Sequence, residues 1–208
     1  RGRVFLLPVR RSGPDGEEEV HLCGIRRIVP AASRGTGERM DGESKGGGMM
    51  SKSIGLLFWL GIVFAAAAVG GLASVESASF YKELARPSWA PPGWLFGPVW
   101  TALYAMMGVA AWLVWRERGF RGGLVPLSLF IDQLVLNALW TWIFFVWRQG
   151  MWAFIEILVL WGLIVATMKA FHAVRPLAAW LLAPYLAWTT FAAALAFTVW
   201  RMNPALLG

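Results

Sequence analysis

"IGLLFWLGIVFAAAAVGGLASV", residues 54–75, runs for 22 positions without a charged side chain. A helix rises about 1.5 Å per residue and a bilayer's hydrocarbon core is about 30 Å thick, so roughly 20 such residues cross it. Four further stretches meet the same test: "LFGPVWTALYAMMGVAAWLVW" at 95–115, "LVPLSLFIDQLVLNALWTWIFFV" at 124–146, "MWAFIEILVLWGLIVATMKAF" at 151–171 and "LAAWLLAPYLAWTTFAAALAFTVW" at 177–200. The first follows Lys52 and ends in small residues, as a signal peptide does, but its length favours a spanning helix. The expected fold class is an all-α membrane protein, a five-transmembrane-helix bundle.

Composition agrees. The 208 residues are 58% hydrophobic and 15% charged, whereas soluble domains run nearer half apolar and a quarter charged. Cys23 is the single cysteine, which excludes an internal disulfide, a CxxC motif and a thiolate metal site. His21 and His172 lie far apart and form no ligand cluster, so neither a metal nor a resident cofactor is expected. The net charge of +7 is spread over loops and the N-terminal arm, which suits anionic lipid headgroups. No basic helix with interleaved aromatics is present, so nucleic acid is not an expected partner.

Residues 1–50 are Gly-rich and charge-rich and lack apolar periodicity; they read as a disordered or non-native arm, with Met40, Met49 and Met50 as alternative starts. The membrane domain is placed at 51–204 and a tail at 205–208. The linkers after the second, third and fourth stretches are short, so successive helices are antiparallel. No internal repeat is evident, which disfavours an inverted-repeat transporter. Lys45, Lys52, Arg116, Arg118, Arg121, Lys169 and Arg175 outnumber Lys82, Arg86, Arg148 and Arg201 on the opposite side. The excess favours an N-in, C-out orientation.

The long first linker ends in "RPSWAPPGWLFGPVW", residues 86–100. Pro87, Pro91 and Pro92 fix φ and bias their predecessors to extended backbone, giving a stiff, non-helical loop. Pro98 falls in the first turn of the second helix, where its missing N–H is harmless. Trp89 and Trp94 read either as an interfacial belt or as a lid over one end of the bundle. Within the helices, Asp132, Gln133, Asn137 and Glu156 are costly in hydrocarbon and are expected to face the interior. Gln133 and Asn137 share a face with Trp140 and Phe144; Phe96, Trp100, Tyr104 and Met107 form a second stripe, and Tyr185, Trp188 and Ala192 a third. Converging aromatics with an amide suit a flat apolar ligand, and interhelical hydrogen bonding is the alternative for the amides. Asp132 and Glu156 also read as a proton relay. Pro184 is expected to kink the fifth helix. Ala66, Ala67, Gly70 and Gly71 have the spacing of a close helix–helix contact, between subunits or within the bundle.

"FYKELARPSWAPPGWLFGPVWTALYAMMG", "LNALWTWIFF" and "PYLAWTTFAAALAFTVWRMN" together resemble the TspO/MBR family, the tryptophan-rich sensory proteins that include the animal peripheral benzodiazepine receptor. The resemblance covers about residues 54–204. It implies a five-helix bundle, often homodimeric, whose first loop covers a pocket for porphyrins such as protoporphyrin IX, or for haem as a ligand. Family ligand-contact positions fall at Tyr81, Trp100, Tyr104, Asn137 and Trp188; the loop and stripe residues Trp89, Trp94, Trp140 and Ala192 complete the expected lining. Some bacterial members degrade porphyrin in light, and the tryptophans tied to that chemistry resemble Trp100 and Trp188. The animal sterol-recognition pattern would fall on Leu195, Phe197 and Arg201, but Phe197 lacks the required hydroxyl, so sterol is not expected. The family's Leu-Asn pair is here Leu195-Ala196, and Asp132 replaces a neutral residue.

The reading is a membrane tetrapyrrole-binding protein for porphyrin transport, sensing or disposal. The alternatives are a light-dependent porphyrin-degrading enzyme and a regulatory membrane partner. A channel is disfavoured, since no ring of charge is visible. The expected location is a bacterial cell membrane or outer membrane.

Overall fold

The computed structural model describes the backbone of residues 45–73 and 77–208 and the side chains of 53–73 and 79–208. The arm expected before residue 45, with His21, Cys23 and Met40, lies outside the described residues. Residues 45–50, assigned from sequence to that arm, are helical. A helix already nucleated by the apolar span gains one hydrogen bond for each residue added upstream.

Every regular element among the described residues is helical: α1 (Lys45–Ala73), α2 (Ser77–Glu83), α3 (Phe96–Gly122), α4 (Leu124–Thr141), α5 (Gly150–Val174), α6 (Pro176–Trp180), α7 (Ala183–Met202) and α8 (Pro204–Leu207). A 3₁₀ turn, Gly93–Leu95, leads into α3, and a π-helical stretch, Trp142–Val146, continues α4. Among the described residues, five spans are long and apolar enough to cross a bilayer: Ser53–Ala73, Gly93–Gly122, Leu124–Val146, Gly150–Val174 and Pro176–Met202. The chain is a multi-pass membrane protein.

The helices pack in the cyclic order α3, α1, α4, α5, α7, and α6 returns to α3 at one end only. That end is filled: Met107, Ala110, Val114, Phe130, Ile164, Phe171 and Leu182 are fully buried in one cluster. Small residues set the closest crossings. A Cβ on Gly108 would stand 2.8 Å from Leu60 Cδ2 and 3.4 Å from Leu60 Cα, so α1 and α3 meet there almost backbone to backbone. On Gly70 it would meet Thr141 Oγ1 at 3.4 Å and Ala138 Cα at 3.7 Å. The Gly70 face of α1 therefore packs on α4 of the same chain.

Three expectations are corrected. Pro184 does not kink a continuous fifth helix; the helix breaks at Leu181–Leu182 and Pro184 stands in the first turn of α7. Proline at 184 has no N–H for the carbonyl four residues back and its ring crowds that carbonyl, so α6 stops at Trp180. Leu182 N–H closes a tighter turn on Ala179 O at 3.0 Å, and Leu186 N–H restarts the ladder on Leu182 O at 3.0 Å. Asp132 does not face the interior but is exposed on the outer side of α4, next to the fully buried Gln133. One residue along a helix turns the side chain by about 100°, so both cannot face inward. With Asp132 outside and Glu156 buried, the two carboxylates do not share an interior path.

Candidate functional site

At the end of the bundle opposite the packed α6 crossing, α3 and α7 part and enclose a cavity of about 780 Å³. This lies within the ~300–1,000 Å³ usual for ligand pockets. Its lining comes from α1, α2 and the following loop, α3, α4 with its π stretch, and α7.

Each wall follows from helical spacing. On α3, Phe96, Trp100 and Tyr104 are four apart and so stand on one face, with Gly97 and Thr101 beside them. Trp100 packs on Tyr104 at 5.6 Å between ring centroids and edge-on to Tyr185 at 6.1 Å. On α4, Trp140 stacks on Phe144 at 5.2 Å and 13°, and its indole N–H donates to Ala153 O at 3.1 Å. The π turn, marked by Trp147 N–H on Trp142 O at 2.9 Å, has more residues per turn than an α-helix. It keeps Phe145 beside Trp140, 6.1 Å away and edge-on, so Phe145 joins Phe144 in the lining. On α7, Trp188 lies between Phe96 (5.8 Å) and Phe191 (5.5 Å), and Ala192, Ala196 and Val199 continue the face. Trp188 Nε1 is buried and makes no hydrogen bond.

The polar centre of the site is Asn137. Tyr104 donates to its Oδ1 at 2.5 Å, and its Nδ2 donates to the Tyr185 hydroxyl at 3.2 Å. One amide thus joins α3, α4 and α7, and still borders the cavity. Gln133 and Glu156 are buried and their side-chain polar atoms have no partner, but neither lines the cavity.

The mouth is formed by Tyr81, Lys82, Arg86, Pro92, Gly93 and Trp94. The loop is non-helical from Ala85 to Pro92, as the prolines dictate, with a turn closed by Ala90 N–H on Pro87 O at 3.0 Å. It is held down in two ways. Phe80 and Leu84 are buried in a cluster with Val199 and Leu207. Asn203, in the break between α7 and α8, accepts from Ala85 N–H at 2.8 Å and donates to Ala85 O at 2.9 Å and Val199 O at 2.8 Å.

Of the residues expected to meet ligand, Tyr81, Trp94, Trp100, Tyr104, Asn137, Trp140, Trp188 and Ala192 border this one cavity. Trp89 does not: it is half exposed and packs edge-on against Phe191 at 5.8 Å. The loop turn at Pro87–Ala90 directs it over the outer side of α7. Leu195 lines the cavity, whereas Phe197 and Arg201 are exposed on a different face of α7, so the three form no common surface. Sequence reading missed Phe64, Phe145 and Asn203. Asn203 falls in "WRMNPAL", where an Asn-Pro step after a helix signals only a helix end.

A family model described as the TspO/MBR family matches residues 59–201. The chain is 47% identical over 130 residues to the translocator protein of Homo sapiens, covering 62% of this chain and 77% of that protein. It is 39% identical over 161 residues to the tryptophan-rich protein TspO of Chlorobaculum tepidum, 75% of this chain and 100% of that one. It is 37% identical over 124 residues to the tryptophan-rich sensory protein of Cereibacter sphaeroides, 60% of this chain and 77% of the relative.

Proposed function

Because the chain belongs to the TspO/MBR family, we propose that it binds porphyrins such as protoporphyrin IX in the aromatic cavity, in porphyrin transport, sensing or disposal. The observation that carries this reading is the cavity itself, about 780 Å³ and walled by Trp100, Tyr104, Trp140, Phe144 and Trp188. Indole and phenyl faces stack on a flat macrocycle, and burying it removes a large apolar area from water or lipid headgroups. Among the described residues, the polar side chains of the lining away from the mouth are uncharged, with Asn137 and Tyr104 buried and Thr141 half-buried, which suits a ligand body that is itself uncharged.

A second reading, light-driven oxidation of the bound porphyrin, draws on the position of Trp100 and Trp188 on the cavity wall. Indole is the most readily oxidised aromatic side chain and can donate an electron to an excited porphyrin; the reduced ring then passes it to dissolved dioxygen, the oxidant that porphyrin degradation consumes. Phenylalanine retains most of the stacking surface and loses most of that redox capacity. Titration by tryptophan fluorescence in darkness, followed by illumination of the same samples, tests both readings. Trp100→Phe and Trp188→Phe are expected to change dark affinity by less than about tenfold. They should slow light-dependent porphyrin loss much more. If wild type shows no loss above that of free porphyrin, binding is the whole activity. If both quantities fall together in the variants, the tryptophans serve only as walls. No dark binding by wild type would contradict the proposed function.

A further inference from the structure

We propose that Lys82 and Arg86 form an anion-recognising pair at the mouth, which selects flat ligands bearing two carboxylates and holds them with those groups outward. The inference rests on the reading of the cavity as a porphyrin-type site and adds to it the residues that hold the ligand's acids and the orientation they impose.

Both residues border the cavity. Among the described residues neither takes part in an ion pair, unlike Arg175, which binds Glu117 at 2.7 Å. Although exposed, they are carried on an anchored segment. Ala85, between them, is clamped by Asn203 through both its N–H and its carbonyl. The Arg86 guanidinium lies 4.7 Å over the Tyr81 ring, and the Tyr81 hydroxyl in turn donates to Pro91 O at 3.4 Å. A cation stacked on a ring keeps its N–H groups available at the ring's edge for an anion.

Among the described residues, Lys82 and Arg86 are the charged side chains of the cavity lining, so it is these two that can meet a ligand's anionic groups. Glu83, the acid adjacent to Lys82, is exposed and does not border the cavity. Arg148, 4.7 Å over the Phe80 ring of α2, adds positive charge nearby. An apolar aromatic interior beneath two cations fits an amphiphile with a flat apolar body and two acids on one edge. Protoporphyrin IX, with two propionates on adjacent pyrroles, has that shape. A lipid phosphate offers the same anionic oxygens, but it would leave the aromatic cavity without a role for the pair.

The test compares protoporphyrin IX with its dimethyl ester, which keeps the macrocycle and removes both charges. Titrations are made in darkness, in nanodiscs of phosphatidylcholine alone. Wild type is expected to bind the free acid about tenfold more tightly than the ester, as befits two partly exposed charge contacts. In Lys82→Gln/Arg86→Gln the acid should fall to the ester's affinity while the ester binds as it does to wild type, which also reports an intact fold. Lys82→Arg/Arg86→Lys should keep the preference. Equal binding of acid and ester by wild type, or a preference that survives the double Gln variant, overturns the inference and leaves the cavity reading standing. In that case retention of phosphatidylglycerol by purified wild type and its loss from the Gln variant, read by mass spectrometry, assigns the pair to lipid phosphate. If neither porphyrin binds wild type, the cavity reading falls and takes this inference with it.

Discussion

Asn137→Leu is expected to destabilise the bundle by about 1–3 kcal/mol and to weaken porphyrin binding in whatever protein remains folded. The amide serves two tyrosines on two other helices, at 2.5 Å and 3.2 Å. Leucine fills a similar volume but leaves both hydroxyls without that partner, and Tyr185 is fully buried while Tyr104 is 6% exposed. Interhelical hydrogen bonds in membranes average only about 0.6 kcal/mol, because the separated helices find other partners. The substitution costs more here because two buried hydroxyls lose that partner at once. Tyr104→Phe removes one hydroxyl and leaves the Asn137–Tyr185 bond, so it should cost less. Thermal unfolding in a fixed detergent gives the stability ranking, and a double-mutant cycle gives the coupling. If Asn137→Leu melts with wild type, Asn137 does not tie the three helices together.

The second large effect is expected at the loop. Asn203→Leu breaks three hydrogen bonds, two of them to Ala85, a residue 118 positions away in sequence. Each such bond contributes about 0.5–1.5 kcal/mol net. Hydrogen exchange at the Ala85 amide should therefore accelerate at least about tenfold. Porphyrin affinity should fall by a similar factor, since the ligand must then order a loop that was already ordered in wild type. Asn203→Asp keeps the acceptor for Ala85 N–H and loses both donors, and should fall between. Phe80 and Leu84 still anchor α2 in either variant, so the helical content should not change. Unchanged exchange at Ala85 in Asn203→Leu would show that the apolar anchors hold the loop alone.

The five spans were legible because length and apolarity suffice to place a helix in a bilayer. The stiffness of the loop was legible from Pro87, Pro91 and Pro92, and most of the cavity lining from four-residue spacing on α3 and from the resemblance. Other features depend on information that periodicity does not carry. Pro184 signals a disturbance, but a missing N–H and a crowded carbonyl are common to a kink and a break, so the sequence does not say which occurs. The π turn at Trp142–Val146 has no residue signature, and with it Phe145 escaped notice. Adjacent polar residues Asp132 and Gln133 cannot face the same way, a conflict that sequence alone leaves unresolved. The Asn203 clamp joins two non-helical backbones far apart in the chain, beyond the reach of any local pattern.

If porphyrin binds in the aromatic cavity, filling that cavity should abolish binding. Ala192 borders the cavity from α7, one turn beyond Trp188, and is half buried there. In Ala192→Trp the new indole would occupy the space a ligand needs while leaving the Asn137 hydrogen bonds and the Asn203 clamp untouched. The measurement is a dark equilibrium titration of wild type and Ala192→Trp with protoporphyrin IX, following tryptophan quenching, with a melting curve on each protein. Wild type should show saturable one-to-one binding, and the variant, melting within a few degrees of it, an affinity at least about a hundredfold weaker, roughly 2.7 kcal/mol. Wild-type affinity in Ala192→Trp would place the porphyrin outside this cavity.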